Sequence, residues 1–190
     1  MAEPQGSPSG QLVVIVSGLP GTGKTTLGRA IADHFGWPFI SKDVFKELMF
    51  DTIGWSDKEW SLKVSAATHR IMDYVIGEIL TTGHSVVVES NFKNDLDAPR
   101  FERLRALHGA TLVQLLCWAE GNVLFERYKK RLESDRHPGH GEAEALDIAR
   151  ASLAVGKAEP MAIDARTIEV DTTYFDAVDL EGLFHRLGSP

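Results

Sequence analysis

The chain has 190 residues, of which 43% are hydrophobic and 25% charged, with a formal net charge of −7 and a single cysteine. This length and composition fit one globular domain with a sizeable core. They exclude an intramolecular disulfide, and they weigh against a dedicated binder of long nucleic acid, which carries a basic surface.

Residues 1–10 are rich in Pro, Gly and Ser and have no apolar run. A disordered tail is expected there, not a signal peptide. Residues 11–190 are read as one domain. No apolar stretch approaches the ~18 residues of a membrane helix, so a cytoplasmic protein with no membrane partner is expected.

Gln11–Val16 is a compact run rich in β-branched residues and reads as a buried strand. Gly-Leu-Pro-Gly-Thr-Gly-Lys-Thr follows over Gly18–Thr25, a complete Walker A motif. Its glycines let the backbone turn tightly and bring N–H groups to phosphate oxygens. The helix opening near Gly23 adds the positive end of its dipole. Pro20, Gly21, Thr22, Gly23, Lys24, Thr25 and Thr26 are therefore the expected contacts to a nucleoside triphosphate, ATP or GTP. Lys24 is expected to reach the β- and γ-phosphates, and the Thr25 hydroxyl to ligate Mg²⁺.

Lys24–Phe35 has helical apolar spacing and Gly36 as a stop. Trp37–Ile40 reads as a short strand and Asp43–Ile53 as a helix, for which Asp43 is a possible N-cap. Ser56 and Glu59 have the spacing of a capping box. The helix they open is expected to run to about Thr82, burying Trp60, Val64, Ala67, Ile71, Val75 and Ile79. Ser85–Glu89 is a second buried strand, Asp95–Leu107 a helix, Thr111–Trp118 a strand and Asn122–Leu132 a charged helix. Cys117 lies in an apolar run and reads as a small core hydrophobe. A polar break spans 133–141, helix returns over Glu142–Val155, and Thr167–Asp171 and Leu180–Leu187 close the pattern as strand and helix. Five strands alternating with helices predict an α/β sandwich of three layers, with a mostly parallel central sheet.

With these motifs the chain resembles the small P-loop kinases that phosphorylate hydroxyl groups. That group includes the kinase part of polynucleotide kinases, gluconate and shikimate kinases, chloramphenicol phosphotransferase and zeta-type toxins. Three features beyond Walker A carry the resemblance. In Ser41-Lys42-Asp43 it implies that Asp43 faces the acceptor hydroxyl and takes its proton or orients it. In Val86–Asn91 it implies that Glu89 stands at the Walker B position, helping to hold Mg²⁺. In Arg127, Arg131 and Arg136 it implies a lid over about 133–141. Arg131 and Arg136 would meet the transferring phosphoryl group, and Arg127 would lie near the base. Asp171-Thr172-Thr173 falls where the family's backbone cups the adenine. His137 and His140 lack a third ligand, so hydrogen bonding or surface placement outweighs a metal site.

The resemblance implies a kinase that uses ATP and Mg²⁺ to phosphorylate a hydroxyl of a metabolite, sugar or antibiotic. Lys42, Asn91, Phe92 and Trp55 are the candidates for the acceptor pocket. A polynucleotide or nucleoside kinase, and a nucleotide-binding ATPase module, are the alternatives.

Overall fold

In the computed structural model, which describes residues 10–133, 137–140 and 146–188, every residue of β1 (Leu12–Gly18) is buried. A strand with no polar face needs cover on both sides. Its side chains alternate accordingly: Leu12, Val14 and Val16 join one core, Val13 and Ile15 the other. β2 (Phe39–Ser41), β3 (Val86–Glu89), β4 (Thr111–Trp118) and β5 (Arg166–Asp171) complete an all-parallel sheet in the order β2-β3-β1-β4-β5.

One face is covered by α1 (Lys24–Phe35) and α7 (Leu180–Gly188), through Leu27, Ile31, Leu183 and Leu187. The other is covered by α3 (Lys58–Thr81) and α4 (Asn94–His108), through Met72, Ile76, Phe101 and Leu104. α2 (Lys42–Ile53) packs on α3, while α5 (Gly121–Leu132) and α6 (Leu146–Leu153) meet around Leu124 and Leu153. Cys117 is fully buried, and burial pushes its thiol up to about 12. It is inert core, as its apolar neighbours predict.

This order places a topological switch at the heart of the sheet. From β1 the chain runs outward to β2, and from β3 it crosses to β4 on the opposite side. The loops leaving β1 and β3 therefore diverge, opening a crevice at their carboxyl ends.

Two local expectations need correction. The N-cap of α3 is Asp57, not Ser56; the Asp57 Oδ1 accepts from the Trp60 N–H at 2.8 Å. A carboxylate there also meets the positive helix end, an advantage a hydroxyl lacks. The buried stripe of α3 is Val64, Thr68, Met72, Ile76 and Leu80, and Ile71 is exposed. Two apolar rows run side by side on this helix. The buried one is disguised by Thr68, whose hydroxyl is satisfied internally by donating to the Val64 carbonyl.

Gly18 closes β1 at φ +144°, and a Cβ there would lie 2.3 Å from the Cys117 carbonyl oxygen on β4. Replacing Gly18 with Ala is expected to cost on the order of 3 kcal/mol. In a domain of this size that lowers the melting temperature by about 10 °C. Thermal unfolding followed by circular dichroism measures it, and an unchanged midpoint would contradict this tight strand-to-loop junction.

Candidate active site

The loop after β1 turns on two left-handed glycines, Gly21 (φ 84°) and Gly23 (φ 74°). Gly23 is the N-cap of α1 and supplies no side chain, so the first N–H groups of that helix stay available to an anion. A Cβ on Gly23 would press on the Phe175 ring at 3.2 Å. Inside the loop, the Thr22 hydroxyl and the Lys24 ammonium both donate to the Leu19 carbonyl, at 2.8 and 2.9 Å. Lys24 is 7% exposed. Burial lowers its pKa, and the Glu89 carboxylate opposes that shift. It is a nearly dry cation held over its own loop.

Glu89 ends β3 in register with Ser41 at the end of β2. Its carboxylate is 5% exposed and accepts from the Ser41 hydroxyl at 2.8 Å and the Thr25 hydroxyl at 3.3 Å. Among the described residues it is in no ion pair. A buried carboxylate beside a loop threonine, with only hydroxyl partners, fits a divalent cation. Ser41 is the N-cap of α2, but its hydroxyl is committed to Glu89 and caps nothing. Asp43 is therefore not the cap; it sits in the first turn, half exposed, 3.5 Å from Arg131 of α5. It also acts electrostatically on Lys24.

Arg127, one turn before Arg131, ties three strands of chain together. Its guanidinium donates to the carbonyls of Gly21 (3.1 Å), Thr172 (2.9 Å) and Thr173 (3.2 Å). The Thr172 hydroxyl closes the same knot by donating to the carbonyl of Thr22 at 2.8 Å. Nothing in the local sequence announces Thr172 as a brace, because its partner lies 150 positions away.

Of the segment expected to form a lid, residues 134–136 and 141 lie outside the described residues, and Arg136 with them. Pro138–His140 forms a 3-10 turn seated on α2. Gly139 lies so close to Phe50 that a Cβ would come within 2.5 Å of the ring. His140 Nε2 is 2.7 Å from Glu47, and His137 Nε2 is 3.2 Å from Asp51. Asp43, Glu47 and Asp51 are spaced by four and so form one acidic stripe. Each meets a cationic or imidazole group of the segment from Arg131 to His140. Among the described residues no group of three or more His, Cys, Asp or Glu side chains could hold a metal.

The AAA-domain family matches residues 13–155. The chain belongs to it. A crystal structure of a candidate kinase from Chloroflexus aurantiacus is 37% identical, with a TM-score of 0.85 over 94% of this chain and 97% of that one. The Mycobacterium tuberculosis APS kinase, in complex with AMPPNP and APS, is 15% identical with a TM-score of 0.60, over 95% and 96% of the two chains. A sugar kinase from Janibacter is 17% identical with a TM-score of 0.55, over 93% and 91%. These last two share the fold. No curated protein matches the chain. The AAA-domain chain thus has the P-loop kinase fold, and no helix among its described residues is long and apolar enough to cross a membrane.

In this AAA-domain protein the residues expected at an acceptor pocket separate. Lys42 opens α2 beside Asp43 and is half buried. Asn91 is exposed in the loop after β3. Phe92 packs edge-on against Phe101, 5.0 Å between centroids, and joins the α3/α4 core. Trp55 is exposed in the α2–α3 connection. A buried network that no motif marks lies alongside. Asp97 is 2% exposed and accepts from the Lys93 N–H (2.7 Å) and from Arg100, and His69 Nδ1 lies 3.8 Å from it. Asp73 holds Arg100 from α3 at 2.6 Å. Burial, with Arg100 beside it, pushes His69 down to about 4, so its imidazole is neutral at pH 7.

Proposed function

We propose that this chain is a kinase that transfers the γ-phosphoryl group of ATP to a hydroxyl of a small molecule. One observation carries the reading: a half-exposed carboxylate, Asp43, stands at the mouth of the phosphate loop, within the field of Lys24 and beside Arg131. An acceptor hydroxyl placed against Asp43 would be oriented for in-line attack, and its proton would pass to the carboxylate. Lys24 and the N-terminus of α1 would hold the phosphates. Arg131 would leave Asp43 for the equatorial oxygens, its planar fork matching their geometry. Thr25 and Glu89 would hold Mg²⁺, which neutralises phosphate charge when bound. Arg127 would fix the floor beneath the nucleotide through the carbonyls it already holds. The kinase name of the 37% identical relative supports the same reaction class.

The test is ADP release with MgATP across a panel of sugars, polyols, hydroxy acids and antibiotics, beside oligonucleotides with free 5′-hydroxyls. Turnover with a small hydroxylated compound is expected, and poor labelling of the oligonucleotides, because a chain of net charge −7 has few cations to hold several phosphates. ADP release that no acceptor stimulates would leave an ATPase.

Replacing Arg131 with Ala should slow single-turnover transfer on the order of 10²-fold and weaken equilibrium ATP binding far less. The guanidinium is engaged by Asp43 before transfer and reaches the phosphoryl group only as charge develops. Equal losses in both measurements would count against this role.

A further inference from the structure

Two lysines border the acceptor cleft, and neither is in an ion pair among the described residues. β2 and β3 end level with each other, Ser41 against Glu89. The next residue after Ser41 is Lys42, and Lys93 lies at the end of the loop that follows Glu89. The two lysines thus flank the same cleft, one at the head of α2 and one at the head of α4. Behind them stand Arg100 and Arg103 on α4, facing Asp73 and Asp97.

Both carboxylates are already committed. Asp73 is bonded by Arg100 and Arg103, and Asp97 by Arg100 and the Lys93 backbone N–H. His69, the remaining titratable group of the cluster, is neutral. Arg100 and Arg103 thus hold both carboxylates, and among the described residues neither Lys42 nor Lys93 is in an ion pair. Lys42 is the telling one. It is half buried, yet among the described residues it makes no hydrogen bond or ion pair. Asp43 and Asp97 attract it from a distance, Lys93 and Arg100 repel it, and burial lowers its pKa. A partly desolvated ammonium is unfavourable without a partner. Asp43, the adjacent acid, is turned to Arg131.

We infer that Lys42, assisted by Lys93, forms a subsite for an anionic group on the acceptor, so that the substrate is a small hydroxylated anion. This rests on the phosphotransfer reading above and narrows it. Consecutive Cα atoms are about 3.8 Å apart, so an anion held by Lys42 leaves a hydroxyl a few atoms away within reach of the Asp43 carboxylate. The anion supplies the direct partner that the Lys42 ammonium lacks among the described residues. A neutral polyol would leave Lys42 half buried and unpaired.

The experiment uses the full chain saturated with Mg·ADP, so that the phosphate loop is filled. Glycerol, glycerate and glycerol 3-phosphate form one probe set, and glucitol and gluconate another. Binding is read by calorimetry, and transfer by ADP release with MgATP in place of Mg·ADP. In the wild-type chain at least one anionic member is expected to bind ten-fold or more tighter than its neutral counterpart. Carboxylate and phosphate arms show which anion is preferred. Lys42→Gln should reduce that preference to three-fold or less with MgATP affinity unchanged, Lys42→Arg should restore much of it, and Lys93→Gln should lower it part-way. No anion preference in either set, or a preference that survives Lys42→Gln, overturns the subsite. The two readings fail separately. Transfer to neutral members without anion preference would sink the subsite and keep the kinase. Lys42-dependent anion binding without transfer to any acceptor would keep the subsite and sink the kinase.

Discussion

Replacing Asp43 with Asn is expected to lower phosphoryl transfer on the order of 10²-fold or more while MgATP affinity stays nearly constant. The change preserves shape and removes only the charge that would take the acceptor's proton. It is a clean substitution because the fold asks little of this side chain. Ser41, not Asp43, occupies the cap of α2, and Asp43 is half exposed with one long ion pair to Arg131. Loss of its interaction with the helix dipole costs about 0.3–1 kcal/mol, too little to unfold the protein. Single-turnover transfer beside an equilibrium titration of MgATP makes the measurement. Normal transfer in the variant would leave Asp43 as a partner of Arg131 and nothing more.

Replacing Lys24 with Ala is expected to remove transfer almost entirely, on the order of 10³-fold, and to weaken MgATP binding as well. Lys24 is buried against the mouth of the loop, its ammonium held by the single Leu19 carbonyl. It contributes no packing to either core. Deleting it also relieves the burial of a charge, so the melting temperature should stay within a few degrees of the parent. Unimpaired turnover in a folded variant would refute the phosphate-loop assignment at its most specific residue.

Much of this architecture was legible from one dimension. Lys24–Phe35 and Thr111–Trp118 are bounded as expected: left-handed Gly23 and Gly36 flank the helix, left-handed Gly109 precedes the strand, and their apolar periods are unambiguous. A mostly parallel sheet followed from the alternation of runs such as Val86–Glu89 with amphipathic helices, and every strand pair proves parallel. Long-range partnerships were not legible. A stripe of threonine and aliphatics on α3 lost to a more apolar rival in the sequence, because only the tertiary packing decides which row faces the sheet. The bond between Thr172 and Thr22, the commitment of Ser41 to Glu89, and the Asp97–Arg100–Asp73 network join distant segments and leave no local trace. Asp43, Glu47 and Asp51 did carry a signal, a four-residue spacing, but acids at that spacing are ordinary on solvated helix faces.

The knot around Arg127 has a temporal consequence. The phosphate loop is synthesised well before its braces: its shape is held by carbonyls and a hydroxyl at residues 172 and 173, together with a guanidinium at 127. β1 likewise finds its neighbours β3 and β4 only later in the chain. At about 5–20 residues per second on a ribosome, the interval between Lys24 and Thr173 is on the order of ten seconds. During that time the nascent chain carries the whole motif but lacks its far brace. The full bracing of the loop is therefore a property of the completed domain, acquired only once residues 172 and 173 have been added.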